Sequence, residues 1–143
     1  MYKRQHIKDV IAFLKVVVNP FDTIAWHRIL HLIEGIGNVK ASDIVASVLA
    51  NNGIISFSGY YKQKYYPGLL KYETLYREIH EQVLNPKQTV EKILSTYIPL
   101  LEKIESDYQQ RLIDLDVLVT LSSEYRSMDS FLCLLYTSPS PRD

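Results

Sequence analysis

The run Leu30-His31-Leu32-Ile33-Glu34-Gly35-Ile36-Gly37-Asn38-Val39-Lys40-Ala41-Ser42-Asp43-Ile44-Val45 holds the residue types with the clearest chemical use. It reads as a helix, a Gly-apolar-Gly turn and a second helix. The glycines let the backbone turn sharply and approach another molecule with no β-carbon in the way. Ile36 is expected to point inward and fix the hairpin, and Ala41 to keep the two helices close. The amides around Gly37, Asn38 and Val39 then open a helix, where unpaired N–H groups and the helix dipole favour an anion such as a backbone phosphate. Lys40 is placed to add a charged phosphate contact and Asn38 a polar one.

This pattern matches the helix-hairpin-helix element of many non-sequence-specific DNA-binding modules. A plain helical corner would use the same glycines only to turn. The apolar residue between them, with Ala41 and Ile44 after them, favours DNA contact; Glu34, just before the turn, counts against it. A second basic region lies beside the first. No acidic residue occurs between Asp43 and Glu73, while Lys62, Lys64 and Lys71 alternate with Tyr60, Tyr61, Tyr65, Tyr66 and Tyr72. Lys62 and Lys64 are the secondary DNA contacts this pattern offers, since lysines interleaved with aromatics can hold a backbone while rings stack. The competing expectation is that the tyrosines pack the loop onto the helices and the lysines stay solvated.

Other constellations carry less. His27 and His31 share a helical face at a spacing zinc can use, but no third ligand accompanies them, and both read as surface or edge histidines. Asp114 and Asp116 point in different directions on a helix and do not form a carboxylate pair. Glu73 and Arg77 read as a helix-surface ion pair. No glycine is followed by Lys, so no phosphate-binding Gly-x-x-x-x-Gly-Lys-Ser/Thr loop exists. No serine or cysteine has a nucleophile's local signature. No catalytic residue, metal site or cofactor is expected in this chain.

Periodicity supplies the elements that hold these residues. Ile7, Val10, Ile11, Leu14, Val17 and Val18 recur at helical steps from His6 to Val18, and Asn19-Pro20 stops that helix. Asp22 is expected to cap a second helix that buries Ile24, Ala25, Ile29, Leu30 and Ile33, with Trp26 on its flank, and runs to the Gly35 turn. A third runs from about Asn38 to Asn51 and ends at Asn52-Gly53. Residues 54–68 read as a long loop with a short extended piece at Ile54 to Phe57. Further helices are expected from Leu69 to Leu84, from Lys87 to Glu105 with Pro99 kinking or splitting it, and from Arg111 to Tyr125. Ser127 could cap a last turn containing Met128, Phe131 and Leu132. The fold class is all-α: an irregular helical bundle with a helix-hairpin-helix-like element.

Lys plus Arg and Asp plus Glu both number 16 in the 143 residues, so bulk charge does not drive nucleic-acid binding and any such contact must be local. The length suits a single core. One cysteine, Cys133, excludes an internal disulfide framework, and no apolar run suits a bilayer or a signal peptide, so a cytoplasmic home is expected. The ends stand apart in composition. Residues 1–5 and 135–143, the latter reading Leu-Tyr-Thr-Ser-Pro-Ser-Pro-Arg-Asp, look like translated adapter sequence. Residues 6–134 are then the domain proper, slightly acidic once the ends are set aside, with a longer protein expected on both sides.

The run His6-Ile7-Lys8-Asp9-Val10-Ile11-Ala12-Phe13-Leu14-Lys15, continued by Asn19-Pro20-Phe21-Asp22 and Arg28-Ile29-Leu30, resembles the UvrD/PcrA/Rep-type ATP-dependent DNA helicases of superfamily 1. The Gly35-Ile36-Gly37 turn follows at the family's usual place. Near the other end, Arg111, Asp114, Leu115 and Leu118, then Tyr125, Ser127, Phe131 and Leu132, are similar to a later run of that family. The resemblance is strongest over 6–45 and 108–132 and thin through 54–105. It implies the helical accessory domain called 2B, with Gly35, Ile36 and Gly37 on the surface that touches duplex DNA and the domain swivelling to regulate the motor. It also implies that the parent binds ATP and Mg²⁺ outside this chain, moves 3′ to 5′ in repair or replication, and offers its remaining domains as partners in cis. Two other readings stay open: a helical protein-interaction module using the tyrosine-rich loop, and a helix-hairpin-helix domain of a nuclease or polymerase.

Overall fold

The computed structural model describes residues 5–82, 85–104, 108–125 and 130–131. Six α-helices follow one another: α1 (Gln5–Val18), α2 (Thr23–Leu30), α3 (Asn38–Ala50), α4 (Tyr66–Gln82), α5 (Pro86–Ile104) and α6 (Tyr108–Ser122), with a short 3₁₀ turn at Ser58–Tyr60. No strand occurs among the described residues, and the fold is all-α. The foreign-looking ends, apart from Gln5, the end of the fourth expected helix at Val83 and Leu84, and most of the expected last turn, including Ser127, Met128 and Leu132, lie outside the described residues.

The centre of the molecule is α1. It packs on α2, α5 and α6, and α4 reaches it through Phe13, whose ring meets Tyr72 edge-on at 5.2 Å. Burial therefore extends beyond the expected stripe to Ala12, Phe13 and Val16, while Val18 at the end is exposed. A helix surrounded by others buries more than one face. The buried polar groups of α1, His6 and Asp9, are consequently paired. Asp9 accepts from Arg28 Nε of α2 at 2.8 Å and from the Tyr97 hydroxyl of α5 at 2.7 Å, so one carboxylate ties three helices. His6 Nε2 lies 3.0 Å from Asp114 of α6. Tyr72 and Tyr76 donate their hydroxyls to the carbonyls of Ile29 (2.6 Å) and Phe13 (2.9 Å), fixing α4 across α1 and α2.

Asp22 caps α2 as expected, its Oδ1 accepting from Ala25 N at 3.0 Å. The face of α2 is different. Trp26 is fully buried, edge-on to Phe57 and Tyr76, with its Nε1 donating to the Pro20 carbonyl at 2.8 Å; Ile24 is 81% exposed. The indole carries the larger apolar area and has a carbonyl within reach, so its burial sets the helix phase. The helix also stops at Leu30, earlier than expected, and residues 31–36 tighten through three-residue bonds from Leu32, Ile33 and Ile36.

Residues 54–57 form no strand, and α4 starts at Tyr66, earlier than the Leu69 expected from periodicity. Pro67 falls in its first turn, where a missing N–H costs nothing. Gly68 lets α4 approach the turn after α2: a β-carbon there would lie 2.7 Å from Ile33 Cγ2. Glu73 acts chiefly as an anchor for the loop, accepting from Phe57 N at 2.7 Å, while its expected partner Arg77 stands 3.9 Å from the other oxygen. Pro99 sits inside α5 without ending it.

Candidate nucleic-acid interface

The turn from His31 to Gly37 connects α2 to α3 and is built as the residue types require. Gly35 has φ +94°, a conformation that side chains resist. Ile36 is 5% exposed and Ala41 fully buried, so the apolar residue points inward and the small one lies at the helix contact. Gly37 differs from Gly35. It is the residue before α3, with φ −98° and ψ −167°, a backbone any residue adopts, and a β-carbon added there would meet nothing within 4 Å. Neither the chain's conformation nor its packing calls for glycine at this position.

Gly37 also supplies no side-chain cap. The first backbone bond into α3 runs from Ala41 N to Gly37 O at 2.9 Å, so the amides of Asn38, Val39 and Lys40 are left at an open helix start, and Val39 is 84% exposed. Its N–H groups and the dipole of a 13-residue helix give positive potential there. The Asn38 side chain is turned back across the turn, pairing with His31 Nε2 at 2.9 Å, while His31 Nδ1 donates to the His27 carbonyl at 2.6 Å. What Asn38 offers outward is its backbone N–H. His27 and His31 stack, with centroids 6.0 Å apart, and no group of three metal-ligating side chains occurs among the described residues.

The tyrosine-bearing loop folds onto this turn. Tyr65 is buried beside Gly35, its Cβ 3.9 Å from where a glycine β-carbon would stand, and Lys40 Nζ lies over its ring at 5.3 Å. Tyr60 donates to Asp43 of α3 at 3.0 Å. Burial first, and then the Asp43 hydrogen bond, raises the Tyr60 phenol above its ordinary value; burial and the Asp43 charge raise Tyr65. Both rings stay neutral at ordinary pH and add no negative charge near the open amides. The packing role expected for the tyrosines thus holds for Tyr60 and Tyr65, whereas Tyr61 is 64% exposed with Lys62 Nζ 5.7 Å from its ring centre.

The two lysines named from sequence separate. Lys64 lines a trough of about 950 Å³ that starts at His31, Glu34 and Gly35; Lys62 does not. Lys71 of α4 and Lys103 of α5 line the same trough. Sequence reasoning missed Lys103, since it reaches the trough only through the packing of α5 on α4.

An all-α domain with a glycine-opened helix start and lysines around it narrows the class, and comparison with known proteins names it. The sequence model of the UvrD-like helicase C-terminal domain matches residues 1–132, and the chain belongs to that family. It is similar to the ATP-dependent DNA helicase PcrA of two Staphylococcus epidermidis strains, ATCC 35984 and ATCC 12228, at 29% identity over 136 residues in each case. That alignment covers 87% of this chain and 19% of each relative, so the chain spans about a fifth of the curated relatives it matches. No solved structure matches. No described helix is long and apolar enough to cross a membrane.

Proposed function

We propose that this chain is the 2B-like accessory domain of a superfamily 1 DNA helicase, residues 6–134 forming the domain, and that it holds duplex DNA by its sugar–phosphate backbone at the turn of residues 35–40. The observation that carries the reading is Gly37. At a helix start, Ser, Asp or Asn would stabilise the fold more than glycine does, and nothing among the described residues requires glycine there. A bare position leaves the amides of Asn38, Val39 and Lys40 for a phosphate oxygen, with no β-carbon in its path. Gly35 and Ile36 shape the turn in helix-hairpin-helix fashion, and Lys40 and Lys64 supply charge. Such contacts read backbone and not sequence.

Family membership supports the rest of the proposal without deciding it. Similarity to helicases named as ATP-dependent supports a parent that hydrolyses ATP; the resemblance of the α1 and turn residues adds Mg²⁺, movement 3′ to 5′ in the cytoplasm, and a domain that biases the motor. This sequence has no phosphate-binding loop, so its residues do not fit ATP. The remaining domains are partners in cis. Titrating the chain with a blunt duplex at two salt concentrations tests the DNA contact. Binding that weakens as salt rises is expected; no binding at low salt overturns the reading and leaves the protein-interaction alternative.

A further inference from the structure

The trough beside the turn is not explained by duplex contact. It begins at His31 and Gly35 and continues between α4 and α5, where a second hollow of about 570 Å³ shares Pro67, Lys71, Thr96 and Pro99 with it. Together they follow α4 from Pro67 to Glu78, about 16 Å at the helical rise of 1.5 Å per residue. The far end is closed by the ion pair of Lys92 with Glu78 at 3.1 Å.

Its lining has two characters. Lys64, Lys71 and Lys103 are exposed, and no carboxylate lies within ion-pair distance of any of them among the described residues. Glu34 is the one acidic residue in the larger hollow, at its turn end. Between the lysines the walls are Leu32, Pro67, Pro99 and Leu100, with the His31 ring at the mouth. Pro99 also has no N–H to give the Ser95 carbonyl, and Ser95 lines the smaller hollow, so a backbone acceptor borders the path.

We infer that this trough binds a short single strand of DNA, running from the turn along α4 and α5. The inference rests on the duplex reading of the turn. A duplex presents its phosphates on a convex cylinder that cannot enter such a concavity; a single strand can, placing its phosphates on Lys64, Lys71 and Lys103 and the faces of its sugars and bases on the proline and leucine walls. Unpaired cations along a channel with apolar walls are what sequence-tolerant single-strand binding requires. The occupant is a strand leaving the duplex held at residues 35–40, so turn and trough together fit a junction between paired and unpaired DNA.

The test compares fluorescein-labelled oligothymidylate, a blunt hairpin duplex and the same hairpin with a single-stranded tail, each titrated against the 143-residue chain. The tailed hairpin should bind more tightly than the blunt one. In Lys71→Gln/Lys103→Gln, with both changes at exposed positions, the advantage of the tail should vanish and blunt-hairpin binding should remain. The slope of log K against log salt for oligothymidylate should fall by about 1.4, from roughly 0.7 per single-strand phosphate contact. Gly37→Asp separates the two sites: it should lose the blunt hairpin and keep oligothymidylate. Thermal unfolding of each variant confirms the fold. Absent oligothymidylate binding at low salt, an unchanged salt slope in the double variant, or polyglutamate displacing the strand as well as unlabelled oligothymidylate would overturn the inference. Loss of duplex binding alone, in the unmodified chain, would instead strike the reading of the turn.

Discussion

Three glycines near the proposed interface differ in what the fold asks of them, and substitution distinguishes them. Gly35 is held at φ +94°, so Gly35→Ala should cost about 1–3 kcal/mol of stability through backbone strain. Gly68→Ala places a methyl 2.7 Å from Ile33 Cγ2; denaturant unfolding should show a loss of about 1–3 kcal/mol as α4 and the turn are forced apart. Gly37 has neither constraint, and a capping side chain there should stabilise α3. Lys40→Ala should lower the salt slope of duplex binding by about 1 without changing any sequence preference. The roles of Gly35, Ile36 and Ala41 could be read from their order in the sequence because turn chemistry is local. The engagement of Asn38 by His31 could not, since it depends on where the helix before the turn ends.

Among the helices, what the sequence foretold were the periodic segments and their stop signals. Asp22 caps α2 as its position before the helix requires, and Asp22→Ala should lower stability by about 1 kcal/mol. The buried face of α2 differs from the expected one because an eight-residue helix offers only two turns of pattern, and periodicity alone cannot choose between Ile24 and Trp26. Trp26→Ala should cost about 3–5 kcal/mol in chemical denaturation, as expected for a buried aromatic, while Ile24→Ala should be nearly silent. The loop before α4 carries no periodic pattern in the sequence. Its order comes from contacts distant in sequence, Phe57 N to Glu73 and Tyr60 to Asp43, which no local pattern announces.

Across the whole molecule, α1 holds the bundle, and buried polar groups fix how the other helices lie on it. Tyr72 and Tyr76 have phenols raised well above the ordinary value of 10.0, by burial first and then by the Asp9 charge for Tyr72 and by Tyr72 for Tyr76. In the unfolded chain these phenols ionise near their ordinary value, whereas the fold keeps them protonated. Their contribution is thus complete below about pH 10 and is lost as pH rises further. Spectrophotometric titration should show these two tyrosines ionising only as the helical signal collapses. Lys64, Lys71 and Lys103 come from a loop and two helices, so spacing along the chain could name Lys64 but could not exclude Lys62 or include Lys103. The family could be named from local runs of residues on α1 and the turn, although the surface proposed to face DNA is assembled by packing.

The most direct test of the account is the duplex affinity of Gly37→Asp measured beside its thermal unfolding. An aspartate before α3 caps the helix and should raise stability by a few tenths of a kcal/mol, while its carboxylate takes the amides proposed to hold a phosphate and repels it. The expected result is a chain that is at least as stable and has lost most of its duplex binding. Duplex affinity equal to that of the unmodified chain would contradict it.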